Sequence, residues 1–298
     1  MGVKGIVLAG GTGSRLWPAT SVISKQLLPI YDKPMIYYPI STLMLAGIRD
    51  ILIITTPQDQ AQFQSLLGDG SNFGINFQFK SQSTPDGLAQ AFIIGEEFID
   101  GEDSMLILGD NIFHGVGLDH QLSGIPNKHD AHIFTYEVSN PSDYGVLEID
   151  ENDQIISITE KPKFPKSNLA VTGLYYFNND VISIANGIKP SARGELEITS
   201  VIQEYLQRGT LGFTKLSRGT AWLDTGNPNS LHDASSYIRV IEERTALKIG
   251  CLEEIAFNSG WIDTSIFEKR ISELGMNTYS SYLAMILTKQ QSTNGGSS

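Results

Sequence analysis

The sequence predicts an α/β protein: an open, mainly parallel (mixed) Rossmann-like sheet flanked by helices, with a β-rich lobe and C-terminal helices. Three observations carry this. Up to about residue 110, apolar runs at 5–9, 51–55 and 104–108 alternate with helical segments near 34–47, 58–67 and 87–99, as in a sheet whose crossovers are helices. From 131 to 178 the texture shifts to short β-rich pieces joined by Asn, Asp and Pro turns. From 228 to 287 the pattern is mostly helical.

In chain order, the first strand (6–9) breaks at once into Gly10, Gly11, Thr12, Gly13 and Ser14. A buried strand feeding such a turn bares consecutive backbone N–H groups, a nest for phosphate oxygens, and Arg15 and Lys25 add cations close by. This is not the dinucleotide fingerprint: Leu16 stands where a third glycine is needed, and Asp32 sits in a turn before Pro34. Nor is it a Walker A loop, which needs G-K-[ST]. In the lobe, strands are expected at 131–138, 144–150, 155–160 and 171–178, with a hairpin turn at Glu151, Asn152 and Asp153. Helices return after 180, with strands near 211–216 and just before Asp224. The expected division is an α/β core over 1–228 that includes the lobe at about 131–178, a C-terminal helical region over 229–291 with an oligomeric or regulatory role, and a mobile polar tail at 292–298.

Composition excludes several classes. The 298 residues contain 41% hydrophobic ones, ordinary for a globular protein, and no apolar run approaches the roughly 20 needed to span a bilayer. The net charge of −12 argues against nucleic-acid binding, although local cations still suit a nucleotide. The single cysteine, Cys251, suits a reducing compartment, so the expectation is a cytoplasmic protein with no membrane or nucleic-acid partner.

Few residues have the look of chemistry. Asp110 and Asp224 each follow an apolar run and precede a turn, the place where a carboxylate meets a ligand beyond a strand end or holds Mg²⁺ against phosphate. A helix N-cap or turn role is the alternative for Asp110. Gln82, followed by Pro85, Asp86 and Gly87, offers a donor, an acceptor and close backbone approach, which match a pyrimidine edge; a plain turn before a helix is the competing reading. Lys161 beside Glu160 suits a phosphorylated sugar, or is a surface pair. The five histidines lack metal-ligand spacing, no Ser-His-Asp set stands out, and Cys251 has no evident activating base.

The segments Gly10 to Leu16, Lys25 to Pro29, Asp32 to Tyr38, Pro85 to Ala91, Leu108 to Asn111, Val171 to Tyr175, Arg193 to Thr199 and Ala221 to Gly226 together resemble the sugar-phosphate nucleotidylyltransferase family, and within it the glucose-1-phosphate thymidylyltransferases, over nearly the whole chain. The resemblance implies transfer of a thymidylyl group from dTTP to α-D-glucose 1-phosphate with Mg²⁺, the first step of dTDP-rhamnose or other deoxysugar synthesis. It implies catalytic roles for Arg15, Lys25 and Lys161, and nucleotide contacts from Gly10, Gly11, Gly13, Ser14, Arg15, Gln26, Gln82, Pro85, Asp86 and Gly87. Leu108, Asn111, Gly145, Glu160, Lys161, Val171 and Trp222 would hold the sugar phosphate, and Asp110 with Asp224 the metal. Ser14 stands where the family usually has Thr, which keeps the hydroxyl.

The resemblance further implies a homotetramer with a second site for a nucleotide-sugar effector, built partly from the C-terminal region. There the family pattern Glu-Glu-Ile-Ala-aromatic ends in Arg, whereas this chain has Glu253 to Phe257 and then Asn258. The chemistry is coherent, since an ionised sugar phosphate attacks the α-phosphorus without a general base and catalysis rests on positioning and charge. Uracil shares thymine's hydrogen-bonding edge, so a uridylyltransferase making UDP-glucose remains open on physical grounds. A non-enzymatic nucleotide-sugar sensor is a third reading, disfavoured by the full set of cations and carboxylates.

Overall fold

The computed structural model describes residues 2–125 and 129–295. Strand β1 (Val3–Ala9) leads through the glycine loop to a small hairpin, β2 (Pro29–Ile30) and β3 (Lys33–Pro34), then to α1 (Tyr37–Leu45) and β4 (Asp50–Thr55). Next come α2 (Gln60–Leu67), β5 (Asn76–Ser81), α3 (Gln90–Ile99), β6 (Asp103–Leu108), β7 (Asn111–Gly115) and the short α4 (Leu118–Ser123). The second half runs β8 (Ala131–Glu137), β9 (Gly145–Ile149), β10 (Ile155–Glu160), β11 (Leu169–Phe177), α5 (Asp180–Gly187) and α6 (Ile198–Gln207). After β12 (Leu211–Lys215) and β13 (Thr220–Asp224) the chain is helical: α7 (Pro228–Thr245), α8 (Leu252–Asn258), α9 (Thr264–Leu274) and α10 (Thr278–Gly295).

Among the described residues nine strands form one sheet, in the order β10-β9-β11-β6-β1-β4-β5, with β8 on β11 and β12 on β8. The β1, β4, β5 and β6 pairings are parallel, while β11 runs antiparallel to β6, pairing Leu174 with Ile107. The sheet is therefore mixed, and the β-rich stretch 131–178 is its other half rather than a separate layer. Strand β1 lies at the centre and is covered on both faces, so its side chains are apolar in succession rather than alternating. Ile6 and Leu8 pack with Phe92, Leu106 and Phe177, whereas Val7 and Ala9 pack with Leu43, Ile53 and Phe134.

Besides the small β2–β3 hairpin, which occupies the stretch just before and at the start of the expected 34–47 helix, two strands differ from the sequence expectation by their presence. Strand β5 is an edge strand in which Phe77 and Phe79 alternate with Asn76, Gln78 and Lys80. Strand β7 leaves the main sheet and pairs with β13, matching Asn111 to Asp224. The expected turn at 151–153 is present: Asp150 Oδ1 accepts from the Asn152 and Gln154 amides, and Asp153 takes a positive φ. Helix α10 runs on to Gly295, into the stretch read as a polar tail, and 296–298 lie outside the described residues.

The β2–β3 hairpin is fastened to the C-terminal helices by buried charge. Lys33, only 2% exposed, pairs with Asp32 and with Glu242 of α7 at 2.8 Å. Lys248 completes the set on Asp32 and Glu242, and the Ile249 amide donates to Glu242 Oε1 at 2.9 Å. Burial works to raise the Asp32 carboxyl, but the Lys33 and Lys248 ammoniums hold it below its ordinary value. The hairpin follows directly on the turn that carries Lys25, so this clamp fixes one wall of the site described next.

Candidate active site

Strands β1 and β6 are parallel neighbours and end together, with Leu8 beside Leu108. Beyond their carboxyl ends opens a cavity of about 410 Å³, the expected ligand position in such a sheet. One wall is the glycine loop. Gly11 faces open space, and Gly13 takes φ +63 where its carbonyl accepts the Thr20 hydroxyl at 2.7 Å. Gly11, Gly13, Ser14 and Arg15 all line the cavity. Gly10 does not; a Cβ there would stand 2.3 Å from Gln82 Oε1, so the absence of a side chain at Gly10 makes room for the Gln82 amide.

Lys25 enters on a short 3-10 turn next to Gln26, whose Oε1 accepts the Ser24 hydroxyl at 2.8 Å. Both line the cavity, and the Lys25 ammonium is buried against the Asp110 carboxylate. Asp110 Oδ1 also accepts Asn111 Nδ2 at 3.0 Å. The β7–β13 ladder brings Asp224 alongside, and Thr225 pins Asp110 through two hydrogen bonds to its carbonyl, 3.1 Å from the amide and 2.8 Å from the hydroxyl. Gly226 leaves room between Arg15 and Asp224: a Cβ there would lie 3.1 Å from Arg15 Nη2 and from Asp224 Oδ1.

This crowding separates the two acids. Burial opposes the Asp110 charge, but Lys25 holds its carboxyl below the ordinary value. Asp224 is pushed up, first by burial and then by the Asp110 charge. Among the described residues no group of three or more His, Cys, Asp or Glu could hold a metal, so the candidate donors are this pair. One or two carboxylates are the usual protein share of a Mg²⁺ site.

At the far wall Glu160 and Lys161 line the cavity, as does Leu108. Lys161 sits at φ +41, a left-handed conformation that costs a side-chain-bearing residue about 1 kcal/mol, and its amide donates to the Tyr144 carbonyl at 3.0 Å. Glu160 is raised by burial and then by the Glu197 charge. Gly145 lies against Glu160 and Val171, and neither Gly145 nor Val171 reaches the cavity.

Asn111 and Trp222 also stay beneath it. Asn111 Oδ1 accepts Trp222 Nε1 at 2.6 Å and the Gly173 amide at 3.2 Å, and the indole packs on Tyr144. They brace the floor under Asp110.

A further wall carries Gln82, Pro85 and Gly87, with Asp86 exposed behind them. Gly87 has φ +114, and a Cβ would meet the Leu196 carbonyl oxygen at 2.4 Å, so only glycine fits. The sequence assigned no role to several residues that line the cavity: Leu8, Thr12, Leu88, Arg193, Glu195, Glu197 and Gly226. Arg193 grips both Glu197 oxygens at 2.9 Å and reaches Glu160 at 3.4 Å. The signal was the alternation of charge in Arg193-Gly194-Glu195-Leu196-Glu197 ahead of a helix.

A second cavity of about 290 Å³ lies between α1, β7 and α8, with Lys248 and Asn258 in its wall. No helix among the described residues is long and apolar enough to cross a membrane.

The family described as nucleotidyl transferase matches residues 4–240. A glucose-1-phosphate thymidylyltransferase of Neisseria meningitidis is 52% identical over 288 residues, covering 96% of this chain and 100% of the relative. One from Mycolicibacterium smegmatis is 53% identical over 288 residues, covering 97% and 100%. Among solved structures, a Bacillus anthracis protein assigned as a glucose-1-phosphate thymidylyltransferase superposes with a TM-score of 0.74 at 42% identity, covering 80% of this chain and 95% of that one. A UDP-glucose pyrophosphorylase complexed with UDP-glucose gives a TM-score of 0.72 at 26% identity, covering 81% and 100%.

The raised Asp224 carboxyl makes a stability prediction. A folded-state pKa above the unfolded one means that the fold binds this proton more tightly, so the contribution favours folding in acid and turns against it as pH rises through the raised value. Asp224→Asn should therefore raise Tm by a few degrees at pH 7, and the gain should vanish below the ordinary carboxylate range. Thermal unfolding across pH checks it; a variant less stable than wild type at pH 7 contradicts it.

Proposed function

The chain belongs to the nucleotidyl transferase family, and on that premise we propose that it transfers a thymidylyl group from dTTP to α-D-glucose 1-phosphate, giving dTDP-glucose and pyrophosphate. The observation that carries the residue roles is the cavity beyond β1 and β6, walled by Arg15, Lys25, Lys161 and Arg193, with no His or Cys among the described residues that line it. A phosphate oxygen of the sugar phosphate attacks the α-phosphorus, the bond from that phosphorus to the bridging oxygen breaks, and pyrophosphate departs with the electron pair. No proton has to move, because the attacking oxygen is already ionised.

The glycine loop with Arg15 holds the triphosphate, and Lys25 meets the charge that develops at the α-phosphate. Lys161 holds the sugar phosphate, and Glu160, with its raised affinity for a proton, hydrogen-bonds sugar hydroxyls. Gln82 and Gly87 read the base. Asp110 and Asp224 fit Mg²⁺, since they are two buried acids in mutual conflict. When bound, the ion would neutralise phosphate charge at that point. In the same proposal the protein acts as a homotetramer at the head of dTDP-rhamnose or deoxysugar synthesis.

Pyrophosphate release, measured with dTTP or UTP crossed against glucose 1-phosphate or its N-acetylglucosamine analogue, tests the assignment. The dTTP and glucose 1-phosphate pair should turn over best, and Lys25→Ala should lower kcat by about 10²–10³ without unfolding the protein. A preference for UTP contradicts the substrate, and undiminished turnover by folded Lys25→Ala removes Lys25 from the mechanism.

We place the nucleotide-sugar effector in the second cavity. Asn258 brings no charge to it, and Lys248 is already committed to Asp32 and Glu242. Inhibition by dTDP-rhamnose should accordingly be weak, and Asn258→Arg should tighten it about ten- to a hundredfold by restoring a charged hydrogen bond. Tight inhibition of the wild type, unchanged by the substitution, would contradict this.

A further inference from the structure

We propose that Asp86 and Gln90 form a polarity relay that fixes which end of the Gln82 amide faces the cavity, and so selects a base with a ring N–H against one with a bare ring nitrogen. This rests on Gln82 reading the base of the nucleotide. Gln82 is 5% exposed, follows β5 directly and lines the cavity. Its Nε2 donates to Gln90 Oε1 at 2.6 Å, and Gln90 Nε2 donates to Asp86 Oδ2 at 2.9 Å. The same Asp86 oxygen accepts the Thr84 hydroxyl at 2.6 Å.

Primary amides are ambiguous, since either end can face a neighbour, but an ionised carboxylate only accepts. Asp86 therefore sets the direction of the whole chain of bonds. Gln90 must turn its NH₂ to Asp86, which leaves its oxygen for Gln82, which in turn must spend its own NH₂ there. The Gly87 carbonyl, 3.5 Å from Gln82 Nε2, favours the same orientation, and its direction is fixed by a backbone conformation that only glycine takes there. What remains is Gln82 Oε1, lying over Gly10, and among the described residues no donor reaches it. Flipping Gln82 alone sets oxygen against oxygen at Gln90, and flipping both amides moves that conflict to Asp86.

A carbonyl left without a donor accepts from N3–H of thymine or uracil and is repelled by the N3 lone pair of cytosine. Asp86 and Gln90 touch no reacting atom in this scheme; they are positioning residues for base choice.

The test is calorimetric binding of dTTP and dCTP, with Mg²⁺, to the full chain, to Asp86→Asn and to the double variant Asp86→Asn/Gln90→Glu. An asparagine at 86 can donate as well as accept, so the relay loses direction, and the dTTP preference should fall about tenfold or more. A carboxylate at 90 accepts from both Gln82 and the new asparagine, so the double variant should recover the wild-type preference. A general loosening of the loop would not be rescued in this way. Equal weakening of both nucleotides by Asp86→Asn, a double variant no more selective than the single, or a wild type indifferent to the two bases would each overturn the relay. Selective binding that collapses in Asp86→Asn, without pyrophosphate release from dTTP and glucose 1-phosphate, would support the relay and refute the proposed transfer.

Discussion

The Lys25–Asp110 ion pair is the constraint from which the rest of the site follows. Taking two charges out of water is costly, and the cost is recovered only where geometry is fixed and the remaining polar atoms are satisfied. Each partner is accordingly held from behind. Asn111 and Thr225 tie down Asp110, while the Lys33 and Lys248 clamp on Asp32 and Glu242 secures the hairpin that continues the Lys25 turn. Asp224 carries the consequence: it lies close enough to feel the Asp110 charge and resists ionisation. A site in this condition is suited to receive phosphates and a cation, and stability is set against function there.

How much of this was legible in the sequence depends on range. Central strands such as β1 and β6 announce themselves locally as continuous apolar runs, and the glycine loop and the two aspartates stand out just beyond strand ends. The β5 edge was hidden because two phenylalanines spaced among polar residues make a short, weak alternation. The β7–β13 ladder joins segments far apart in sequence, and no local pattern encodes that pairing.

Roles were harder to read than positions. Gly10 looked like part of the phosphate nest, yet its missing Cβ leaves space for Gln82. Asn111 and Trp222 satisfy each other beneath the floor, which residue type alone does not reveal. Arg193 and Glu197 reach the wall because the 191–197 loop folds back against the segment just before α3, with the Ala89 amide donating to the Leu196 carbonyl at 3.1 Å.

In the proposed transfer this site works by holding charge, with no proton in flight. The most direct measurement is the solvent deuterium isotope effect on single-turnover formation of the nucleotide sugar, taken at a pH where the sugar phosphate is fully ionised. No effect is expected, and the rate should be flat with pH above that ionisation. A clear normal isotope effect, with a pH dependence that moves when Glu160 or Asp224 is replaced, would contradict it and assign one of those carboxylates to proton transfer.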